Sequence, residues 1–127
     1  MEKDTQIEDD QIDIICNMLL LSYEKIKQNL SYQFWSELIT PNPVTDRNPF
    51  GPRIWYVVFA VAKHDNLFNL PKIKFRLNYN ISNGVLTLED RFECRIVITI
   101  EIKNGKSHDI ISDALNKHTI EHYKTKL

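Results

Sequence analysis

The chain has 127 residues, of which 43% are hydrophobic and 26% are charged, and its formal net charge is −1. This length predicts one domain, residues 1–127, that buries a core without disulfides or a structural metal. The near-neutral, ordinary composition argues against a disordered chain and against a general electrostatic attraction to nucleic acid or to anionic membranes.

A long amphipathic helix is the first predicted element. Thr5 and Glu8 have the spacing of a capping box, and apolar residues then recur every three or four positions. A second apolar set, Ile14, Met18 and Leu21, projects to roughly the opposite side of the same helix. The middle of this helix is therefore either sandwiched inside the fold or in contact with a second chain.

Acidic residues are concentrated near the start of this helix. Residues 1–50 hold nine acidic and four basic residues, whereas residues 51–127 hold eight and twelve. Acidic side chains interact favourably with the amino-terminal end of a helix, which accounts for Asp9 and Asp10 without any function. The alternative is an acidic patch, including both residues, that binds a basic partner.

Residues 31–52 connect this helix to the strands. Ser31 is a good N-cap, so residues 31–39 are predicted to form a short second helix. Residues 40–52 contain four prolines, which predicts an irregular segment without helix or strand pairing. This segment is either a rigid connector or a functional loop.

Two clear strands are predicted next. Residues 53–63 are continuously apolar and predict a strand buried on both faces. Residues 72–80 alternate between apolar and polar side chains, which predicts a strand with one face toward water. Asn83 and Gly84 then favour a hairpin turn, since both residues tolerate positive φ.

The chain ends with further strand signals and a helix. Residues 85–88 are a candidate separate short strand, and residues 91–103 predict a long one. The expected apolar side of the long strand comprises Phe92, Cys94, Ile96, Ile98, Ile100 and Ile102. A helix is predicted from Ser107, and its expected apolar side comprises Ile110, Ile111, Ala114 and Leu115.

The fold class follows from this order of elements. We expect an N-terminal helix, a short helix, a three- to four-stranded antiparallel sheet and a C-terminal helix. Because the strands are consecutive, without βαβ alternation, the class is α+β. This arrangement has too few layers to bury both faces of the first helix and of the strand at 53–63.

The pentapeptide HTIEH at residues 118–122 matches H-x-x-E-H, the zinc-binding stretch of inverted zincin peptidases. On a helix, His118 and His122 lie one turn apart and can share a zinc ion. Such a peptidase takes a third ligand from well downstream, and only residues 123–127 follow, so the match is too short to assign a family. We expect both histidines to lie at the wet end of a packed helix face, without a metal.

No other motif indicates catalysis. The chain has three glycines and no phosphate-binding loop. Cys16 and Cys94 are expected to be buried, reduced thiols rather than nucleophiles, with a disulfide between them as the alternative. We therefore predict no catalytic residues and no cofactor. The chain also has no signal peptide or membrane span, so we expect a cytoplasmic protein.

The polar face of the predicted sheet is a candidate binding surface. Lys72, Lys74 and Arg76 lie on one strand, and Arg95 lies among mixed charges on another. If these strands are neighbours, opposite charges pair across them. The alternative is a basic platform for an acidic protein surface. Nucleic acid is a less favoured partner, since the aromatic residues of the strand at 72–80 lie on the face opposite to its basic residues.

These observations predict a non-catalytic protein-binding module. An exposed apolar strip is expected to be covered by a second chain, either a copy of this one or a different protein. Its candidates are Trp55, Val57 and Phe59 on the sheet, or Ile14, Met18 and Leu21 on the helix. A small bacterial immunity protein that neutralises a toxin by direct binding fits this description, by association only. The alternatives are a secretion chaperone and a small-molecule-binding or enzymatic domain with a pocket between helix and sheet.

Overall fold

The computed structural model describes residues 2–46, 53–64, 73–101 and 106–123. These residues form two helices and a six-stranded antiparallel sheet, so the fold class is α+β. The helices are α1 (Glu2–Gln28) and α2 (Lys106–Tyr123). The strands are β1 (Phe34–Leu38), β2 (Val44–Asp46), β3 (Ile54–Lys63), β4 (Ile73–Asn80), β5 (Val85–Asp90) and β6 (Arg95–Glu101). Neither helix is long and apolar enough in its described part to cross a membrane.

The sheet has the strand order β1-β3-β4-β5-β6, and every pairing is antiparallel. The long strand β3 pairs on one edge with β4 and on its other edge with both β1 and β2. Strands β4 and β5 are joined by a tight turn in which Gly84 has φ +70°. Only a residue without a side chain adopts this conformation at no steric cost, so the predicted hairpin is confirmed.

The core lies between the two helices and one face of the sheet. Its strand residues alternate along β3, β4 and β5, and α1 and α2 contribute the opposing side chains. Phe59 stacks on Phe75 with ring centroids 5.7 Å apart, and Tyr23 of α1 lies 5.3 Å from Phe59. The Tyr23 and Ser36 hydroxyls are also 3.0 Å apart, which ties α1 to β1.

Helix α1 has two apolar faces, as predicted, but only one of them is buried. Ile15, Leu19, Tyr23 and Ile26 are buried in the core. Ile14 and Leu21 are 67% and 61% exposed, and Met18 is half-buried between them. The predicted exposure of this set is therefore confirmed at its two ends. The predicted capping box is wrong, because the helix already begins at Glu2 and Thr5 lies inside it.

The apolar strip predicted on β3 is not exposed. Trp55, Val57 and Phe59 are all buried, at 7% exposure or less, on the sheet face that α1 covers. Their predicted exposure is wrong because a 27-residue helix lies over that face of the sheet. Each of these side chains contributes on the order of 2 kcal/mol to folding by leaving water.

Two predictions between α1 and β3 are also wrong. Residues 34–38 form a strand rather than a short helix, with Phe34 and Ser36 buried. Pairing with the edge of β3 outweighs the local N-cap signal, because aromatic residues fit a half-buried strand well. The proline-rich segment contains the short strand β2, whose three residues are free of proline. Residues 47–52 lie outside the described part of the chain.

The last strand differs most from its prediction. Residues 91–94 form a turn, so β6 begins only at Arg95. The pairing with β5 shifts register near Leu88 and Glu89, which inserts one extra residue in β6. Ile96 therefore lies on the face opposite to Ile98 and Ile100. Phe92, Cys94 and Ile96 are all exposed, against the predicted single apolar side.

Asn116 fixes the relative position of the two helices. Its side-chain oxygen accepts a hydrogen bond from the Ser31 amide at 2.9 Å, and its amide nitrogen donates to the Asn29 carbonyl at 2.8 Å. Both partners belong to the segment that follows α1. A single side chain of α2 thus satisfies the backbone at the end of the other helix.

Candidate functional site

The turn at residues 91–94 is organised by the carboxylate of Asp90, the last residue of β5. Its Oδ1 atom accepts hydrogen bonds from the amides of Phe92 at 2.8 Å and Glu93 at 3.0 Å. This is the local turn that aspartate side chains favour. The turn also places Cys94 at φ +54°, in the left-handed region that side chains disfavour. β5 and β6 are thereby joined by a tightly hydrogen-bonded turn that contains one strained residue.

The other oxygen of Asp90 holds helix α2. Nε2 of His118 donates to Oδ2 of Asp90 at 2.7 Å, and the two side chains are 5% and 0% exposed. The imidazole ring also meets Phe75 edge to face, with ring centroids 6.1 Å apart. The expectation that His118 lies at the wet end of its helix is therefore wrong, because Asp90 satisfies it inside the core. The side chain of His122 lies outside the described part of the chain.

Asp90, Glu93 and His118 have the donor types of a metal site, and their donor atoms lie within 4.8 Å of one another. The observed spacing, however, is that of a hydrogen bond. Two nitrogen or oxygen ligands on a tetrahedral zinc ion lie roughly 3.3 Å apart, given metal–ligand bonds of about 2.0–2.1 Å. Glu93 is in addition 3.5 Å from the guanidinium of Arg95. We therefore interpret the cluster as an internal latch between β5 and α2.

A small cleft lies beside this latch, between α2 and β6. Its volume is about 190 Å³, and its lining includes Arg95, Lys117, His118 and Glu121. Ligand pockets usually have volumes of about 300–1,000 Å³. The cleft is therefore small for the pocket between helix and sheet that the alternative hypothesis requires.

The larger concavity lies on the opposite face of the sheet, away from the helices. It is a groove of about 410 Å³ that runs across β3, β4, β5 and β6. Seven of its ten lining residues are polar or charged, but apolar atoms account for most of its exposed surface. The lining residues are Ile54, Arg76, Asn78, Asn80, Asn83, Val85, Thr87, Glu89, Ile96 and Thr99.

The polar side chains in the groove bind one another. Nε and Nη2 of Arg76 each donate a hydrogen bond to a carboxylate oxygen of Glu89 at 3.3 Å. Nη1 of Arg91 lies 3.2 Å from the same carboxylate. The Arg76 guanidinium also stands over the Tyr56 ring, 5.0 Å from its centroid. Next to it, the Asn78 amide donates to the Thr87 hydroxyl at 3.2 Å. The groove surface is therefore held in place by its own contacts.

Glu89 is ionised in this setting. Partial burial by itself raises the pKa of Glu89, but hydrogen bonds and positive charges from Arg76 and Arg91 outweigh that effect and lower it below its ordinary value. A carboxylate with a lowered pKa and two guanidinium partners is a poor general base. Its role in the groove is to neutralise and orient the arginines.

The basic platform predicted from the sequence does not form as a set. Lys74 and Arg76 lie on the open face, but Arg95 lies beside the cleft at α2, because β6 pairs Arg95 with Asp90. Strand β5 also separates β4 from β6, so the two supposed neighbours do not touch. Lys72 lies outside the described part of the chain. The opposite-charge pairing expected between the same two strands is therefore wrong as well, and Arg76 pairs instead with Glu89 of β5.

The two cysteines behave differently from each other. Cys94 is exposed, against prediction, because it belongs to the turn and not to the strand. Burial and the nearby charge of Asp13 raise the pKa of the half-buried Cys16 thiol, so it remains protonated. Both thiols are free, and the alternative of a disulfide is wrong.

The remaining predicted site residues lie on α1. Ile14, Met18 and Leu21 follow its outer face, and Asp9 and Asp10 lie one turn before Ile14, with side chains outside the described part. Sequence reasoning missed Asp90 altogether. The available signal was the aspartate itself, because the side-chain oxygen of an aspartate commonly accepts hydrogen bonds from the backbone amides that follow it in a turn.

Comparison with known proteins assigns no family to this chain. No protein-family model, no curated protein and no solved structure matches it. The functional assignment therefore depends on the two surfaces described above, the groove and the outer face of α1.

Proposed function

We propose that the chain is a non-catalytic protein-binding module that engages its partner with the groove on the helix-free face of the sheet. The observation that carries this proposal is the preformed polar surface across β3 to β6. Both helices contact the other face, so this one presents its side chains outward. A binding surface that is already ordered loses little conformational entropy when a partner arrives.

The chemistry of the groove specifies the kind of partner. Arg76 and Glu89 neutralise each other, so the lining has no excess charge to select a strongly acidic or basic partner. The amides of Asn78, Asn80 and Asn83 and the hydroxyls of Thr87 and Thr99 offer both donors and acceptors. The matching partner is a polar, uncharged loop of another protein that exposes main-chain groups. The apolar side chains that also line the groove supply the dry contacts.

A rigid, prearranged surface suits direct inhibition. An inhibitor of the immunity type, which neutralises a toxin by covering it, is the member of this class that we propose. Its binding surface has to be complete before the toxin arrives, and the contacts of Arg76 and Asn78 provide such a surface. The secretion chaperone has no comparable support from the described residues.

A small-molecule ligand is the second candidate, and one observation favours it. The groove volume of about 410 Å³ falls within the usual range of ligand pockets, roughly 300–1,000 Å³. Such pockets bury most of their ligand, however, whereas this groove lies on the surface of the sheet. A metabolite that raises the unfolding temperature at micromolar concentration, and is displaced by no protein, favours this second candidate.

Photo-crosslinking in native cells tests the proposal. A photoreactive residue replaces Thr99, which is exposed in the groove, and a matched control replaces Asp113, which is exposed on α2. We expect one protein to crosslink from position 99 and not from position 113. The purified partner then binds the Thr99→Arg variant about tenfold more weakly than wild type, whereas Asp113→Arg binds normally. Equal crosslinking from both positions, or full affinity of Thr99→Arg, contradicts the proposal.

A further inference from the structure

The polar side chains of the groove differ in which of their atoms are already hydrogen-bonded. The carboxylate of Glu89 accepts hydrogen bonds from Nε and Nη2 of Arg76 at 3.3 Å and from Nη1 of Arg91 at 3.2 Å. The hydroxyl oxygen of Thr87 accepts one from the Asn78 amide at 3.2 Å. The oxygen atoms of Glu89 and Thr87 therefore already serve as acceptors within the chain.

The turn between β4 and β5 uses two further side-chain oxygens. Oδ1 of Asn80 accepts a hydrogen bond from the Ser82 amide at 2.9 Å, and Oδ1 of Asn83 accepts one from the Val85 amide at 3.0 Å. Both are local turns of the kind that asparagine side chains favour. Asn80 and Asn83 line the groove, and neither NH₂ group donates to another residue in the described part of the chain. The turn thus fixes two amide groups whose donors are unused.

Arg76 is also held in place with donors to spare. A guanidinium has five N–H groups, and the contact with Glu89 uses Nε and Nη2. The position of the guanidinium over the Tyr56 ring holds its plane. Nη1, which carries two N–H groups, donates to none of the described residues. Among the amide side chains of the groove, only Asn78 has an oxygen that accepts no hydrogen bond from a described residue, so unused donors outnumber unused acceptors.

These donors follow β4 at a regular interval. Arg76, Asn78 and Asn80 are alternate residues of this strand, and Asn78 keeps one N–H after it donates to Thr87. A strand rises about 3.4 Å per residue, so the three side chains stand about 6.8 Å apart. The carbonyl groups on one side of an extended peptide recur at the same interval, because they too belong to every second residue. The row of donors therefore matches a row of carbonyl oxygens.

The surroundings of this row favour neutral oxygens over anionic ones. The cross-strand neighbours of Asn80 are Ile54 of β3 and Val85 of β5, so its amide lies between two apolar side chains. The charge of Arg76 is balanced by Glu89, its own neighbour on β5. A phosphate or carboxylate group that leaves water needs a surplus of positive charge, whereas a carbonyl oxygen needs only a hydrogen-bond donor.

We infer that the groove binds an extended segment of its protein partner through backbone carbonyl oxygens, which accept hydrogen bonds from Arg76, Asn78 and Asn80. This inference rests on the proposed function and specifies which main-chain groups the partner presents. The N–H groups of the segment contribute little, because the groove offers few acceptors for them. The segment lies along β4 on the face of the sheet, unlike a strand that is added at a sheet edge.

Oligomers of N-methylglycine test this inference on the full chain, because their backbone has carbonyl oxygens and no N–H groups. In a nuclear magnetic resonance titration, we expect such an oligomer to shift the side-chain N–H signals of Arg76, Asn80 and Asn83. The signal of Asn17, which is exposed on α1, stays in place. A glycine oligomer of the same length is expected to bind with an affinity within about twofold, because its added N–H groups find few acceptors.

The double variant Asn80→Asp, Asn83→Asp removes the donors and keeps the turn. Aspartate retains the oxygen that accepts from the Ser82 and Val85 amides, so we expect an unchanged unfolding midpoint. The affinity for the N-methylglycine oligomer is expected to fall at least about tenfold, because two donor groups become acceptors that face carbonyl oxygens. Asn17→Asp, the same substitution on α1, leaves the affinity unchanged.

Three results overturn the inference. They are unshifted groove signals at the solubility limit of the N-methylglycine oligomer, binding of the glycine oligomer alone, and equal binding by the double variant. Inorganic phosphate that shifts the same signals at lower concentration, with ionic strength held constant, assigns the groove to anionic oxygens and also overturns it. A failure of the proposed function is a different result, in which the oligomer binds but no protein crosslinks from position 99.

Discussion

Two neighbouring carboxylates on β5 have similar partners and different surroundings. Asp90 faces the helices and pairs with His118, and the two side chains are 0% and 5% exposed. Glu89 faces the groove and pairs with Arg76, and these side chains are 20% and 22% exposed. The alternation of a strand places one pair in the core and the other at the surface.

This difference separates residues that hold the fold from residues that are available for binding. A buried charge left without its partner costs several kcal/mol, whereas a pair near water contributes about 1 kcal/mol or less. The covered face of the sheet therefore tolerates little change around Asp90. The open face can exchange its polar side chains at small cost, which suits a surface selected for a partner.

The largest effect is expected from Asp90→Ala. The variant loses the partner of His118 and the acceptor for two amides of the 91–94 turn, so we expect the free energy of unfolding to fall by about 3–5 kcal/mol. Glu89→Ala is the matched control on the other face and is expected to lose no more than about 1 kcal/mol. Urea unfolding of both variants gives the comparison, and equal losses contradict the distinction between the faces.

His118→Leu tests the same latch from the helix. Asp90 keeps its two backbone hydrogen bonds in this variant, so the expected loss is smaller, about 2–3 kcal/mol. Combining it with Asp90→Asn removes the buried charge as well as its partner. The double variant should then lose at least about 1 kcal/mol less than the sum of the single losses. Additive losses mean that the two side chains do not act as a pair.

The two turns that flank β5 give a third comparison. Gly84→Ala forces a side chain into φ +70°, and we expect a loss of about 1 kcal/mol, although the nearest atom, the Tyr79 hydroxyl, is 3.8 Å away. Cys94→Gly relieves the same strain at φ +54° and is expected to raise stability by about 0.5 kcal/mol. Thermal unfolding midpoints that move in the same direction contradict this account of the backbone.

The smallest effect is the pH dependence of the groove pair. The pKa of Glu89 is lower in the folded chain than its ordinary value of 4.5, so the folded state favours the ionised form. The stability gained from this pair is therefore complete above that ordinary value and is lost as pH falls through the lowered pKa. The difference in unfolding free energy between wild type and Glu89→Gln should shrink as pH falls below 4.5. A difference that is constant or grows on acidification rules this explanation out.

Much of the fold is predictable from periodicity. The buried stripe of α1 and the alternation of β4 each specify their element and its inward face, whereas the apolar run of β3 specifies the strand but not the face that the helices cover. β1 is not predictable in this way, because a stretch as short as residues 34–38 suits both a helix and a strand. It forms a strand because it pairs with the edge of β3. The register shift beside Leu88 is not predictable either, since it depends on how β5 and β6 pair.

The candidate site is less predictable than the fold. The polar face of β4 is predictable from the sequence, but the identity of its neighbouring strand is not. The groove forms only because β5 lies between β4 and β6. The latch joins positions 90 and 118, which only the packing of α2 brings together. Local patterns identify the faces of single elements, whereas contacts between elements need the assembled sheet.

The most direct test of the central claim uses the side-chain amides in the groove as reporters. Asn78, Asn80 and Asn83 line it, whereas Asn29 and Asn116 lie at the junction of the helices. In a nuclear magnetic resonance titration with the partner captured through position 99, we expect the side-chain amide signals of the first three residues to shift and those of the last two to stay in place. Shifts confined to Asn29 and Asn116 would show that the partner binds the helical side, and the proposed role of the groove would be wrong.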